Sequence, residues 1–343
     1  MTTAPHGLEL VAVDDGYDFT KARTRSRSVC IPTAYSLKPS RAVNVMGSAT
    51  SDAESVYEIE GARYAVGPNV AGQDTRFEEF PFSAANLAVA LNAIQRVVAP
   101  GARVQVVTGL PLNRFYKPSG EINRAVSAKK IKAWSRIVQS QGDSLPRICN
   151  VTVISEAVAA WFDYVIKNDF SIDEHRMNEL VAVVDIGGRT TDIAVLRQGE
   201  LKLEFSGTLD RGFLEVQKHV ADLLSAEFPG TRFSKSELVE AARFGRVQLG
   251  NGEMDVSADV LSQRHALATG IQEFMQIQFG TEFPRINRVI FVGGGAAALE
   301  FDLRERFPKA YFSDEPQFAN ARGMLKYGVV VADSNDDAKV MNA

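Results

Sequence analysis

The sequence has few of the residues that build disulfide frameworks and metal clusters. Its 343 residues include only two cysteines, Cys30 and Cys149, and four histidines. The two cysteines lie far apart and form no C-x-x-C pair, and the histidines show no metal-ligand spacing, which argues against a disulfide framework or a zinc site. Two unpatterned cysteines suit a reducing compartment, so we expect a cytoplasmic protein.

Long apolar runs and an excess of positive charge are also missing. No apolar run approaches the roughly 20 residues of a membrane span, and no basic segment followed by an apolar one opens the chain. We therefore expect neither a membrane contact nor a signal peptide. The formal net charge is −4, which argues against a general grip on nucleic acid, since that needs a basic surface.

What is present is enough apolar material for a large core. Hydrophobic residues make up 45% of the chain and charged residues 23%, and the length suits two domains. Strand and helix patterns alternate along both halves, and the polar stretch 167–179 between them is the expected boundary. We predict helices over 123–138 and 257–278, the second interrupted by Gly270, and a strand over 201–206.

One pattern occurs twice, about half a chain apart. An apolar strand ends in Asp14-Asp15-Gly16, and a second apolar strand ends in Asp185-Ile186-Gly187-Gly188. Each turn is followed by another predicted strand, so each pattern predicts a hairpin. Such a duplication at domain scale predicts two similar halves that face each other.

These turns suit a phosphate chain with its metal. Glycine lets backbone N–H groups approach a phosphate closely, and Mg²⁺ is usually held through waters by one or two carboxylates. Asp14 and Asp185 would meet the metal from both sides of a cleft, and Lys21 could reach a phosphate as a point charge. Taken singly, each residue has a structural explanation, as a turn aspartate or a solvated lysine, and Glu156 as a helix-start acid. Their common order favours the functional interpretation.

Five segments in this order resemble the actin-like ATPase superfamily over nearly the whole chain. They correspond to its first phosphate motif, first connecting helix, second phosphate motif, adenosine motif and second connecting segment, at 11–21, 154–160, 184–192, 290–296 and 320–324. Within the superfamily, the ParM group of plasmid-segregation actins is favoured by Asp14-Asp15-Gly16, by 108–116, by 321–324 and by the compact length.

The resemblance implies an α/β, two-domain actin-like (ribonuclease-H-like) fold with a nucleotide cleft between the domains. Residues 1–167 and 324–343 would form the first domain and residues 168–323 the second. The implied cofactors are ATP and Mg²⁺, although the choice between ATP and GTP stays open.

The resemblance also implies residue roles. Asp14 and Asp185 would hold the metal, Lys21 would contact the β-phosphate, and Glu156 would orient or deprotonate the attacking water, so that Glu156 and Asp185 are the expected catalytic residues. The expected nucleotide-binding residues are Asp14, Gly16, Lys21, Gly187, Gly188, Arg189, Thr190, Gly293, Gly294 and Gly295. Arg189 departs from the small residue common in the family, and it either points out of the loop or touches a phosphate. The turn Asp210-Arg211-Gly212 is the candidate for ribose or base contacts.

The implied task is ATP-dependent polymerisation into filaments that segregate plasmid DNA. The partners would be further copies of the chain and an adaptor protein bound to a centromere-like DNA site, with no direct DNA contact. Two alternatives remain at this point: a small-molecule kinase of the same fold, and a non-polymerising actin-like scaffold protein.

Overall fold

A computed structural model describes residues 7–38, 54–67, 70, 72–140, 144–250 and 252–340. The first half of this chain alternates strands with four helices. Its helices are α1 (Ala84–Gln95), α2 (Leu112–Phe115), α3 (Arg124–Trp134) and α4 (Glu156–Val165). Its strands are β1 (Glu9–Asp15), β2 (Phe19–Arg23), β3 (Ser28–Pro32), β4 (Tyr35–Ser36), β5 (Ser55–Ile59), β6 (Ala62–Val66), β7 (Arg103–Leu110), β8 (Val138–Ser140) and β9 (Arg147–Ser155).

These strands form two sheets. The larger has the order β3-β2-β1-β7-β9, in which β1 and β2 are antiparallel while β1, β7 and β9 are parallel. The smaller has the order β4-β6-β5-β8. Helix α1 is buried almost throughout and joins both sheets in one core. Ser83 begins this helix as predicted, because its hydroxyl accepts the N–H of Asn86 at 3.1 Å.

The second half repeats the larger sheet. Its strands are β10 (Val181–Ile186), β11 (Thr191–Arg197), β12 (Glu200–Leu201), β13 (Gly207–Leu209), β14 (Arg246–Leu249), β15 (Gly252–Asp255), β16 (Arg288–Val292) and β17 (Tyr311–Phe312). The sheet order is β12-β11-β10-β16-β17, with β13 also paired to β11. Strand β10 is antiparallel to β11 and parallel to β16, just as β1 is to β2 and β7. The predicted duplication is therefore present in the topology.

Seven helices accompany these strands. They are α5 (Glu174–Asn178), α6 (Leu214–Glu227), α7 (Lys235–Phe244), α8 (Ser257–Phe279), α9 (Gly294–Ala298), α10 (Glu300–Arg306) and α11 (Ala319–Val340). Throughout the ranges given above, no helix combines the length and the apolar character needed to cross a membrane.

Two helices, α4 and α11, connect the halves. Helix α4 packs Trp161 against the second sheet, and α11 packs Met324 and Leu325 against the first. The two helices touch at Gly323, where a Cβ would lie 1.7 Å from the Ala159 carbonyl oxygen. Only glycine fits there without displacing backbone. Helix α11 thus returns to the first sheet, while the expected division of the chain into two domains stays a prediction.

The structure corrects three local predictions. Helix α3 ends at Trp134, because the chain then enters β8 and pairs with β5. The segment 201–206 is mostly a 3₁₀ turn, Leu203–Phe205, rather than a strand. Helix α8 runs through Gly270 without a break. The glycine leaves room for the Arg211 guanidinium, because a Cβ at position 270 would lie 2.3 Å from its Nη1. Helix propensity alone could not reveal this packing role.

Candidate functional site

The two aspartate hairpins converge on one cavity. Asp14 lies opposite Lys21 in the β1–β2 register, and Asp185 lies opposite Asp192 in the β10–β11 register. In each sheet a parallel strand lies beside the first strand of the hairpin. The hairpin turn therefore lies at the edge of the sheet where these parallel strands end. Both turns line the same cavity, between α4 on one side and the β16–α9 turn on the other.

This cavity contains all twelve residues that we expected to bind the phosphates and metal or to act in catalysis. They are Asp14, Gly16, Lys21, Glu156, Asp185, Gly187, Gly188, Arg189, Thr190, Gly293, Gly294 and Gly295. Their assembly from four separate segments is what a nucleotide site requires, although their individual roles stay predictions.

The first hairpin carries its own counter-ion. Lys21 Nζ donates to Asp14 Oδ2 at 3.1 Å, and both side chains are buried. Burial raises the pKa of Asp14, against the opposing effect of Lys21. For Lys21 burial lowers the pKa, but the Asp14 carboxylate outweighs it and the pKa rises above its usual range. The pair is thus charged and internally compensated.

The second hairpin has no such cation. Asp185 Oδ2 accepts a hydrogen bond from the neutral amide of Asn320 at 2.7 Å, while its buried Oδ1 has no partner among the described residues. Burial raises the pKa of Asp185 to about 6. A buried carboxylate oxygen without a donor is unfavourable, which makes Oδ1 a candidate acceptor for a ligand water or cation.

Glu156 is the first residue of α4 and faces both hairpins. Its pKa lies well above the ordinary value because of burial and because of the nearby carboxylates, first Asp14 and then Asp185. Its carboxylate makes no hydrogen bond or ion pair within the described part of the chain. Gly109 leaves the space that it occupies, since a Cβ there would lie 2.5 Å from Glu156 Cγ. Burial and the neighbouring carboxylates therefore favour the protonated form of Glu156 more than in an exposed glutamate.

The glycines differ in what they contribute. Gly293 has φ of +91°, and a Cβ there would lie 2.5 Å from Asp185 Oδ1, so this position admits only glycine. The Gly187 N–H already donates to the Thr190 carbonyl at 2.9 Å. Gly187 therefore offers space, not a free donor, to anything bound in the cavity.

Arg189 lines the cavity and contacts two protein groups. Its Nε donates to Asp210 Oδ1 at 3.1 Å, and its guanidinium lies 5.5 Å from the centre of the Tyr17 ring. Whether it points out of the loop or touches a bound phosphate stays a prediction. The turn proposed for ribose contacts does not line the cavity, because Arg211 pairs with Glu215 and Gly212 packs beneath the second phosphate loop.

A second cavity adjoins the first and shares part of its wall. The shared residues include Lys21 and Gly294, and the remaining wall is formed by α6 with the residue before it, by α7, by β3 and by Gln317. The cavity is lined by Asp18, Phe19, Lys21, Cys30, Phe213, Gln217, Val239, Arg243, Gly294 and Gln317. The two cavities are thus neighbours that share Asp18, Phe19, Lys21 and Gly294 in their walls.

Side chains from opposite halves meet at this junction. Asp18, in the turn of the first hairpin, lies 2.6 Å from the Lys235 ammonium and accepts a bond from Gln217 at 2.7 Å. Both partners belong to the second half, at α7 and α6. The cleft is therefore bridged by direct charge contacts.

The residues present fit a divalent cation. Besides burial, the carboxyl groups of Asp14, Asp185 and Asp192 raise the pKa of Glu156, and burial above all raises the pKa of Asp192 to about 7. A dication would relieve this repulsion and satisfy Asp185 Oδ1. Over the described ranges, no group of three or more possible ligands could hold a metal by itself. The cation would thus need waters and substrate oxygens, as Mg²⁺ commonly does.

Sequence reasoning missed two site residues, Asn320 and Lys130. Asn320 lies in the segment 320–324, which resembles the second connecting segment, but nothing in the sequence pattern predicts that it contacts Asp185. Lys130 is one of several basic residues on α3, and its burial against Asp15 depends on how α3 packs. Only the tertiary contacts distinguish it from its exposed neighbours.

Two family models match the chain. The model described as "Actin like proteins N terminal domain" matches residues 12–158, and the model described as "Archaeal actin homologue MreB-like, C-terminal" matches residues 183–305. Both describe actin-like proteins, and the observed sheets and cleft agree with them. The chain is therefore an actin-like protein, and the expected fold is confirmed.

Solved structures with the same fold include ParM proteins. A non-polymerisable quadruple mutant of the pCBH ParM has a TM-score of 0.75 and 21% identity, covering 94% of this chain and 99% of that one. A 15-stranded ParM filament from Clostridium botulinum gives 0.74 and 21%, with the same coverage. An archaeal actin homologue in complex with ADP gives 0.70 and 16%, covering 95% and 100%. A search of curated proteins found no match.

Proposed function

We propose that this actin-like protein is an ATPase that assembles into ATP-dependent filaments and uses them in the cytoplasm to segregate plasmid DNA. The observation that carries the proposal is the convergence of Asp14 and Asp185, from separate halves, on one cavity that also holds Glu156. Structures of the same fold include a ParM filament and an archaeal actin homologue in complex with ADP, and both support the proposal.

In this proposal each residue acts by position and charge. Lys21 exchanges its contact with Asp14 for the β-phosphate, and the glycine turns let the phosphates approach the backbone. Bound Mg²⁺, held through waters by Asp14 and Asp185, would neutralise charge on the phosphates. Glu156 accepts a proton from the attacking water, and its raised pKa makes its carboxylate a stronger base than an ordinary glutamate.

The adjoining cavity would receive the nucleoside. Gly294 and Lys21 border both cavities, so a phosphate chain in the first leads directly to a sugar and base in the second. Phe213 and Val239 supply apolar surface there, while Gln217 and Arg243 supply polar groups. This arrangement replaces the turn at 210–212 as the expected nucleoside region.

Filament formation follows from closure of the cleft. The two halves are joined by α4 and α11, so a nucleotide that contacts both hairpins would fix their relative orientation. A head-to-tail contact between copies in that orientation is heterologous and propagates without closing on itself. An adaptor protein bound to a centromere-like DNA site would then connect the filament end to the plasmid.

The test is sedimentation and light scattering of the purified chain with ATP, with ADP and without nucleotide, combined with phosphate release. We expect sedimentation and phosphate release with ATP. Phosphorylation of an added sugar or acid without sedimentation would instead support a small-molecule kinase. Nucleotide binding with neither polymer nor hydrolysis would support a scaffold protein. A chain that polymerises but does not alter inheritance of a low-copy plasmid would retain the ATPase proposal and lose the segregation task.

A further inference from the structure

A second lysine lies at the phosphate cavity and has no assigned task. Lys130, on α3, has only 1% of its surface exposed, although it carries an ammonium group. It lines the cavity together with Gly109, Pro111 and Glu156. Burying a lysine so completely is costly unless its charge and its donors are used.

The protein uses only part of this ammonium group. A lysine ammonium has three N–H donors. One is directed to Asp15 Oδ2, and the group lies 5.4 Å from the centre of the Trp134 ring. Within the described residues no other acceptor is within hydrogen-bond distance of Lys130 Nζ. Two donors of a buried cation therefore remain without an acceptor at the wall of the cavity.

Both carboxylate oxygens of Asp15 already accept hydrogen bonds from protein donors. Its Oδ1 accepts the Thr108 hydroxyl at 2.6 Å, and its Oδ2 accepts Lys130. Asp15 thus differs from Asp14 and Asp185, because both of its oxygens are already occupied by protein donors. Its evident effect is to hold Lys130 in place, as a fixed carboxylate behind a cation.

The position of Lys130 relative to Lys21 indicates which phosphate it would meet. Lys21 borders both the phosphate cavity and the adjoining nucleoside cavity, whereas Lys130 borders only the first. Lys130 also shares its wall with Glu156, beside which the attacking water is proposed to lie. A triphosphate running from the nucleoside cavity past Lys21 would therefore end at Lys130.

We propose that Lys130 is a second phosphate-binding lysine, which donates to the terminal phosphate of the nucleotide and so distinguishes a triphosphate from a diphosphate. This inference rests on the proposed nucleotide site and adds to it a residue on α3. Asp15 and Thr108 act as positioning residues, since they touch the lysine and not the ligand.

The test compares Lys130→Met with Lys132→Met. Lys132 lies on the same helix, is exposed and has no ion pair among the described residues. Equilibrium binding of a non-hydrolysable ATP analogue and of ADP is measured for both variants and the unaltered chain. For Lys130→Met we expect about 10- to 100-fold weaker binding of the ATP analogue, with ADP changed by less than about threefold, as for one charge-assisted hydrogen bond. Lys132→Met should leave both affinities unchanged.

A second variant guards against a folding defect, because Lys130→Met leaves Asp15 buried without its cation. The double variant Asp15→Asn with Lys130→Met removes both charges together. Thermal unfolding without nucleotide verifies that it is folded, and it should show the same selective loss of the ATP analogue.

The outcomes separate this inference from the proposed function. Equal weakening of ATP analogue and ADP, or no weakening, would overturn the role of Lys130 and leave the nucleotide site intact. If the unaltered chain binds neither nucleotide, the proposed function itself is wrong and the role of Lys130 is wrong with it.

Discussion

The two aspartate hairpins share a topology and differ in their electrostatics. In the first, Asp14 is compensated by Lys21 at 3.1 Å, inside the same hairpin. In the second, Asp185 is held by the neutral Asn320 from the distant helix α11, and its other oxygen has no partner in the part of the chain that the structure describes. The two halves therefore share a strand topology, but their hairpins do not share the same arrangement of charged side chains.

This difference suggests that the two hairpins respond differently to a bound ligand. The first hairpin is complete without a ligand, since it contains both charges of its ion pair. The second carries an uncompensated carboxylate, whose pKa burial raises to about 6. A cation in the cleft would therefore change the second hairpin more than the first. The predictions below test this contrast, beginning with the largest effect.

The largest effect is expected on phosphate release, at Glu156, which faces both hairpins. Glu156→Gln should reduce phosphate release about 10²- to 10⁴-fold, the usual contribution of a general base, while nucleotide binding changes little because the shape is kept. Single-turnover phosphate release and equilibrium binding measure the two. Glu174→Gln is the matched control, because Glu174 is also the first residue of a helix but is exposed. An equal loss of binding and hydrolysis would contradict a base role.

The next effect concerns the compensated hairpin. Asp14→Asn leaves Lys21 buried without its carboxylate and should lower the free energy of unfolding by about 3–5 kcal/mol. Denaturant unfolding without nucleotide measures it. Asp222→Asn, which disrupts the exposed pair with Lys218, should change stability by less than about 1 kcal/mol. If both substitutions have similar effects, Asp14 and Lys21 are not a buried pair.

The uncompensated hairpin should respond in the opposite direction. Asp185→Asn keeps an acceptor for Asn320 and removes a charge that is unfavourable when buried. The folded-state pKa of about 6 exceeds the ordinary 3.8, so the ionised carboxylate destabilises the fold above pH 6 and not below 3.8. We expect a stability gain on the order of 2 kcal/mol above pH 6 that disappears as the pH falls toward 4.

The control for that gain is Asp255→Asn. Asp255 is exposed, and a hydrogen bond from the Ser257 side chain lowers its pKa, so its replacement should not stabilise the protein at any pH. A loss of stability in Asp185→Asn at neutral pH, measured without metal or nucleotide, would mean that Asp185 is compensated by a group other than Asn320.

The smallest effect is expected at Arg189. Its partner Asp210 is largely exposed, so Arg189→Ala and Asp210→Asn should each change stability by less than about 1 kcal/mol. ATP affinity should change by less than about threefold in both variants. A tenfold weaker affinity in Arg189→Ala alone would show that the arginine leaves Asp210 and touches a phosphate in the bound state.

Much of the site could be predicted because its residues lie at strand ends. Asp14, Gly16, Gly187 and Gly293 each follow an apolar strand in the chain. Strand ends and glycine turns are local patterns, and parallel neighbours bring such ends to one sheet edge. Asn320 and Lys130 could not be predicted in this way, because each acts through a contact with a residue more than 100 positions away.

Sequence alone determined the duplicated strand-and-turn pattern, since apolar periodicity and glycine turns are local features of the chain. The resemblance of its motifs to the actin-like superfamily implied the fold class and the full set of twelve residues at the cleft. Tertiary structure alone decided which aspartate is compensated, that Gly270 accommodates Arg211 without breaking a helix, and which of several basic residues on α3 is buried. Those outcomes depend on distances between segments remote in the chain, and such distances follow from packing rather than from any local pattern.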